Sequence, residues 1–146
     1  MEGIIIKILS GFIGSCGFAV LYNIRGKKLI FAAMGSLIST AMIVLLSLAI
    51  DNQPICYFIA AIALSVYAEI MSRLMRTPRT TFILIALIPL VPGGALYNTM
   101  AFTFRGDWSN FWVNALDTLG ITIALALGVV LVSATVKVIN KRKEGV

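Results

Sequence analysis

The chain has 146 residues, of which 60% are hydrophobic and only 12% are charged, and its mean hydropathy is +0.99. This composition lies far outside the range of soluble domains and indicates a polytopic membrane protein. The formal net charge of +6 does not point to nucleic acid, because the basic residues lie in short clusters between hydrophobic runs. The sequence contains no His, which excludes imidazole metal sites and His-based catalysis, so we expect neither an enzyme nor a cofactor.

Five hydrophobic runs are each long enough to cross a bilayer, which requires about 20 apolar residues. We therefore predict an all-α membrane protein that forms a single transmembrane domain over residues 1–146. The predicted spans are residues 4–22, 29–50, 55–75, 81–104 and 119–139.

The first span needs one check, because Ile13-Gly14-Ser15-Cys16 resembles a lipoprotein cleavage box. A signal peptide begins with a basic region, whereas here an acidic residue precedes the first basic one and the apolar run continues to Tyr22. We expect this segment to be retained as a membrane helix. Cys16 and Cys56 have no spacing typical of metal ligands, and we expect both to pack as small apolar residues.

Small residues form one face on three of the predicted spans, which in a membrane marks close contact between helices. Packing within the chain accounts for any one of these residues, but three such faces on five spans leave room for a partner chain. We therefore expect an oligomer. The series are Gly11, Gly14 and Gly17 in the first span, Ala32, Ser36 and Thr40 in the second, and Gly120, Ala124 and Gly128 in the fifth.

The third span ends with Glu69 and Arg73 one helical turn apart, so the two side chains can pair. Glu69 lies about 9 Å inside the end of the span at ~1.5 Å per residue, where an unpaired charge is costly and a paired one is tolerated. An interfacial salt bridge is the simpler interpretation. A coupling or gating role is the functional alternative, because a membrane-embedded carboxylate near a substrate path commonly acts as a protonation switch.

The fourth span departs from a simple membrane helix because its middle reads Ile88-Pro89-Leu90-Val91-Pro92-Gly93-Gly94. Each proline removes a backbone donor and clashes with the preceding turn, while the glycines permit backbone angles that other residues resist. We predict two half-helices with a break between Ile88 and Ala95, and with Thr80 or Thr81 capping the first half. A continuous helix with a proline kink is the alternative.

A break at membrane depth frees backbone groups, and these are tolerated where protein buries them or where they line a wet cavity. The half-helix that begins near Gly93 directs free N–H groups and the positive end of its dipole toward the bilayer middle, which favours a carboxylate. The side chains in its first turns can add hydrogen bonds to the same ligand or bridge to a neighbouring helix. The candidate substrate-binding residues are Pro89, Pro92, Gly93, Gly94, Tyr97 and Asn98.

Between the fourth and fifth spans, Trp108, Phe111 and Trp112 recur at helical spacing with polar residues between them. This pattern predicts a short interfacial helix on the outer surface, whose tryptophans lie in the headgroup layer. A lid over a pore is the alternative interpretation.

Basic residues concentrate on one side of the predicted spans. Clusters follow the first, third and fifth spans, namely Arg25, Lys27 and Lys28, then Arg73, Arg76 and Arg79, then Lys137, Lys141, Arg142 and Lys143. The opposite side carries Lys7 and Arg105 as its bases, with Glu2, Asp51, Asp107 and Asp117. The positive-inside rule therefore predicts an outer N-terminus and a cytoplasmic C-terminus.

The chain resembles the threonine/serine exporter family, specifically its C-terminal five-span module, over most of its length. The most specific parts are the motif from Ile88 to Tyr97, the segment from Ala68 to Pro78, and the segment from Gly17 to Asn23 with its basic turn. The chain has Gly94 where relatives often have Ser, a change that preserves smallness. Some members are one fused chain and others are split in two, and this chain looks like the small subunit of the split form.

The resemblance implies export of small polar metabolites across the bacterial inner membrane, driven by an ion gradient. The implied substrates are threonine and serine in fused members and succinate in a split pair, and the implied partner is a larger subunit of the same family. A membrane-embedded enzyme is disfavoured, because the sequence has no His and no clustered carboxylates. A non-transporting assembly subunit stays open as the alternative to an exporter subunit.

Overall fold

The computed structural model describes the backbone of residues 2–144 and the side chains of residues 5–6 and 8–141. These residues form an all-α fold in which no strand is described. The side chains of Glu2, Lys7, Arg142 and Lys143, on which the orientation prediction partly depends, lie outside the described residues. The helices are α1 (Glu2–Leu21), α2 (Lys27–Ala49), α3 (Gln53–Met75), α4 (Arg79–Leu87), α5 (Gly93–Phe104) and α6 (Trp108–Glu144), with a 3-10 turn at Ile88–Leu90.

Three helices of the described chain, α2, α3 and α6, are long and apolar enough to cross a membrane. The segments Arg79–Leu90 and Gly93–Phe104 meet the same criterion only together, and they are bent by 49° relative to one another. The described residues therefore hold three candidate spans, or four if the bent pair is one span. Because the apolar part of α1, Ile8–Leu21, is shorter than the others, five spans stay a prediction.

Helix α6 runs continuously through the region where a short outer helix and a fifth span were expected. The prediction of a separate interfacial helix is therefore wrong. The physical reason is that no proline or turn sequence separates the two parts, and the Thr118 hydroxyl donates to the Asn114 carbonyl at 2.7 Å within an unbroken helix. The helix starts after Asp107, whose carboxylate accepts the backbone N–H of Asn110 at 3.2 Å.

The Asp107 carboxylate also accepts a hydrogen bond from the side-chain amide of Asn110 at 2.7 Å. These two hydrogen bonds, of which the one from the Asn110 side chain has the larger effect, hold the pKa of Asp107 below its ordinary value. The turn before it is made by Gly106, whose φ of 71° is a conformation that suits glycine. The turn at Gly106 and the cap at Asp107 together start α6.

Close helix packing depends on glycines in α2 and α6. A Cβ placed on Gly128 would lie 2.7 Å from the Ala61 Cβ, and one placed on Gly35 would lie 2.9 Å from the Ala86 Cβ. These distances leave no room for a side chain, as the small-residue pattern of the fifth span predicts for Gly128. A Cβ on Gly17 would meet nothing within 4 Å, so the small face of α1 is partly open in this chain.

Polar side chains join α2 to its neighbours inside the bundle. The Tyr67 hydroxyl of α3 donates to the Phe31 carbonyl at 2.7 Å, and the Ser39 hydroxyl donates to the Ala86 carbonyl of α4 at 3.0 Å. Helix α2 therefore holds both α3 and α4, whereas α5 packs mainly against α6.

Candidate functional site

The helix that starts at Arg79 is interrupted within the residues where the sequence predicts a break. It ends at Leu87, and α5 starts at Gly93 after the 3-10 turn. The Gly93 N–H donates to the Val91 carbonyl at 2.7 Å, and the Leu96 N–H donates to the Pro92 carbonyl at 3.0 Å.

The next two backbone donors of α5 are free. The N–H groups of Gly94 and Ala95 have no acceptor within the part of the chain that the structure describes. Pro92 precedes the helix with φ −74° and ψ 58°, and its side chain provides no cap. Helix α5 thus begins with uncompensated N–H groups and the positive end of its dipole.

The first half of the interrupted segment begins differently from the prediction. Helix α4 starts at Arg79 directly after Pro78, and no side chain caps it. Thr80 and Thr81 lie inside the first turn, so the prediction that one of them caps the helix is wrong. The ring of Pro78 holds its φ at −52°, already close to helical, and its carbonyl accepts the Thr81 N–H at 3.1 Å, which starts the helix earlier.

Three cavities follow one another along the contact between α6 and the α4–α5 pair, which we call the seam. The polar cavity, of about 530 Å³, is lined by Asp51, Asn52, Gln53, Pro54, Ala95, Asn98, Asn114, Asp117 and Ile121. The apolar groove, of about 450 Å³, is lined by Leu87, Val91, Pro92, Leu96, Thr122, Leu125, Ala126, Val129 and Val130. The basic cavity, of about 610 Å³, is lined by Arg79, Ser133, Val136, Lys137, Asn140 and Lys141.

The polar cavity combines carboxylates with side-chain amides. Asp51 lies in the loop between α2 and α3, Asn98 lies on α5, and Asp117 lies on α6. None of these three side chains has a hydrogen-bond or ion-pair partner among the described residues. The cavity therefore presents two free carboxylates and a free amide, which suit a ligand carrying a cationic group and a polar end.

Two of the six predicted substrate-binding residues line a cavity of the seam. Asn98 lies at the polar cavity and Pro92 at the apolar groove. Pro89 points elsewhere, because its Cβ lies 3.4 Å from the position of a Cβ on Gly11 of α1.

The remaining three lie on the open side of α5. The Tyr97 side chain is 72% exposed, and a Cβ on Gly93 or Gly94 would meet nothing within 4 Å. The structure therefore does not gather the six residues into one enclosed pocket of this chain, and their joint role stays a prediction.

Glu69 forms ion pairs with two arginines at the basic end of the bundle. Its Oε1 lies 2.8 Å from Arg73 Nε, and its Oε2 lies 3.7 Å from Arg79 Nη1. The predicted pairing of Glu69 with Arg73 is confirmed. Arg73 also donates to Asn140 Oδ1 at 3.0 Å, and Arg79 donates to the Ser133 hydroxyl. One carboxylate thus joins α3 to α4, and the two arginines join both helices to α6.

Sequence reasoning missed the polar cavity. It treated Asp51 and Asp117 only as charges that set orientation, and it placed the polar residues after Trp108, among them Asn114, on a separate surface helix. The available signal was that both carboxylates lie on the same predicted side, within one or two turns of a span end. Arg79, the second partner of Glu69, was likewise counted only as part of a basic cluster.

A family model described as Threonine/Serine exporter, ThrE, matches residues 7–135 of the chain. No curated protein and no solved structure matches the chain. The matched range includes the interruption, the polar cavity and the apolar groove, whereas Val136, Lys137, Asn140 and Lys141 of the basic cavity lie beyond it.

Proposed function

The chain belongs to the threonine/serine exporter family, and we propose that it is the small subunit of an exporter for carboxylate-bearing metabolites. In this proposal it acts with a larger subunit of the same family in the bacterial inner membrane, and an ion gradient drives export. The family supports a membrane exporter of the threonine/serine type. The subunit composition, the coupling and the choice of substrate belong to the proposal.

The observation that carries the proposal is the start of α5. We propose that the bent pair of helices is one transmembrane span, broken at residues 88–92. The free N–H groups of Gly94 and Ala95 would then lie at membrane depth, where an unpaired donor costs several kcal/mol unless a ligand, water or protein group pairs with it. A substrate carboxylate supplies that partner and also meets the positive end of the helix dipole.

The polar cavity supplies a counterpart for the ammonium group of an amino acid. Ala95 has one of the free N–H groups and also lines this cavity, so one small ligand can reach both. The carboxylates of Asp51 and Asp117 attract an ammonium group and repel a second carboxylate. This arrangement favours threonine or serine over the dianion succinate.

Coupling to an ion gradient is assigned to Glu69. The Glu69 side chain is 17% exposed, and its carboxylate balances Arg73 and Arg79 at the junction of α3 with α4. Protonation of Glu69 would remove the ionic contact that ties the start of α4 to α3, leaving Arg79 to its bond with Ser133. We therefore propose that a proton on Glu69 changes the position of α4.

The open surfaces of the chain support a partner subunit. The face of α5 that carries Gly93, Gly94 and Tyr97 is uncovered. A second chain on the α5 face would enclose the start of that helix and complete a binding site.

The same exposure favours the competing function, a non-transporting assembly subunit, since this chain alone does not enclose the predicted site. Reconstitution into vesicles with and without the larger subunit separates the two. Labelled threonine, serine and succinate are loaded inside, and their loss is followed under an imposed proton gradient. The exporter account predicts loss of threonine and serine that requires this chain, whereas unchanged flux from the larger subunit alone supports the assembly role.

A further inference from the structure

The basic cavity at one end of the seam carries an excess of positive charge. Arg79, Lys137 and Lys141 line it together with the Ser133 hydroxyl and the Asn140 side chain. Glu69 neutralises part of the charge of Arg79, but it is shared with Arg73.

The two lysines are not neutralised in the same way. Neither Lys137 nor Lys141 forms an ion pair with a described carboxylate, and both are exposed. The Asn140 Oδ1 atom accepts a hydrogen bond from Arg73, which leaves the Asn140 amide N–H groups free to donate. The cavity therefore suits an anion with several acceptor oxygens, as a phosphate group has.

The apolar groove begins one helical turn away on the same side of α6. Val129 and Val130 line the groove, and Ser133 is the first residue of α6 that lines the basic cavity. Ala126 in the groove lies about 16 Å before Lys137 at ~1.5 Å per residue. Half of the ~30 Å hydrocarbon core of a bilayer is a closely similar length.

We propose that this pair of cavities binds one anionic phospholipid. Its phosphate lies between Arg79, Lys137 and Lys141, and one acyl chain lies in the apolar groove beside Pro92 and Leu96. Charge complementarity selects the headgroup, because basic pockets between membrane helices at the lipid surface bind anionic headgroups. The adjoining groove selects a lipid over a soluble phosphate, since a soluble anion has nothing to place there.

The bound lipid would fill the basic cavity and the apolar groove of the seam. It would leave the polar cavity and the open side that carries Gly93 and Gly94 available for a substrate. The inference does not rest on which metabolite is exported, because it uses only the membrane location and the two cavities.

Native mass spectrometry of the delipidated protein, titrated with phosphatidylglycerol or phosphatidylcholine, tests the proposal. We expect one tightly retained phosphatidylglycerol and weaker retention of phosphatidylcholine. The double variant Lys137→Gln/Lys141→Gln should weaken retention of phosphatidylglycerol by about 25-fold, since each juxtamembrane lysine contributes roughly fivefold. The matched control Lys27→Gln/Lys28→Gln removes the same charge at the start of α2, outside the cavity, and should leave retention unchanged.

A groove variant separates lipid from free phosphate. Ala126→Phe fills the groove and should weaken lipid retention about tenfold, while Leu131→Phe on the exposed surface of α6 should not. Inorganic phosphate at millimolar concentration should fail to displace the lipid. The proposal would be overturned if Lys137→Gln/Lys141→Gln and its control Lys27→Gln/Lys28→Gln retained phosphatidylglycerol equally. It would also be overturned if phosphate displaced the lipid and Ala126→Phe had no effect.

Discussion

The hydroxyl of Ser39 and the carbonyl of Ala86 form a buried hydrogen bond of 3.0 Å, which joins α2 to the last turn of α4 immediately before the interruption. Gly35, one turn earlier on α2, lets the same part of α4 approach closely. The end of α4, immediately before the interruption, is therefore fixed against α2. The helix that follows the interruption, α5, has no fully buried residue.

Loss of this bond should destabilise the protein. Ser39→Ala removes the donor to the Ala86 carbonyl, and interhelical hydrogen bonds in membranes contribute about 0.5–1.5 kcal/mol. We expect the free energy of unfolding in mixed detergent to fall by about that amount. Ser47→Ala is the control, because the Ser47 hydroxyl bonds only within its own helix and is exposed. Equal stability of the two variants would show that the bond to α4 contributes nothing.

The contact of α6 with α3 gives a second stability prediction. In Gly128→Ala the new Cβ would lie 2.7 Å from the Ala61 Cβ and 2.9 Å from the Phe58 carbonyl oxygen, so the helices must separate. We expect destabilisation by about 1–3 kcal/mol. Gly120→Ala on the same helix meets only the Pro54 ring, at an ordinary 3.4 Å, and should be neutral or stabilising. Unfolding of both variants in detergent decides, and a stabilised Gly128→Ala would contradict the packing described.

Substitution of Glu69 distinguishes a coupling role from a purely structural ion pair. Glu69→Gln cannot ionise and weakens its contacts with both Arg73 and Arg79. If Glu69 couples export to protons, transport by the variant should lose its dependence on pH and on the proton gradient at normal membrane abundance. A variant that is less abundant but keeps the native pH profile would leave Glu69 with a structural role alone. Flux measured across pH 5–8, scaled to the protein incorporated, separates the two.

Orientation is testable by cysteine labelling in intact cells. In a background with Cys16→Ala and Cys56→Ala, a membrane-impermeant thiol reagent should label Ser109→Cys, which lies on the predicted outer side. It should not label Lys28→Cys until the cells are opened, because the basic clusters are expected in the cytoplasm. Both positions are exposed, so access within the protein does not differ. The reverse pattern would place the N-terminus in the cytoplasm.

The sequence allowed an all-α fold with several apolar membrane helices to be predicted, because apolar length acts locally along the chain, as do Pro89, Pro92 and Gly93 at the interruption. It did not allow the continuity of α6 to be foreseen. A change from aromatic-polar to apolar composition near Thr118 suggested two helices, but no residue there breaks the backbone. The polar cavity was missed for another reason. Asp51, Asn98 and Asp117 are far apart in sequence, and only the packing of α5 and α6 against the loop between α2 and α3 brings them to one cavity.

The central claim is that the start of α5 receives the substrate carboxylate, and Gly93→Val tests it. The valine adds branched bulk beside the free N–H groups, in space that the chain itself leaves open. Gly17→Val is the control, because it adds the same bulk to an equally open position on α1. Tyr97→Phe removes a hydroxyl near the site without changing the backbone. Membrane abundance and association with the larger subunit are measured for all three variants.

The most direct measurement is export of labelled threonine and serine by the reconstituted exporter containing Gly93→Val, scaled to incorporated protein. The account predicts that Gly93→Val lowers flux and substrate affinity by more than it lowers abundance and subunit association. Normal export by a well-incorporated Gly93→Val protein would contradict the substrate site at α5 and favour the assembly role.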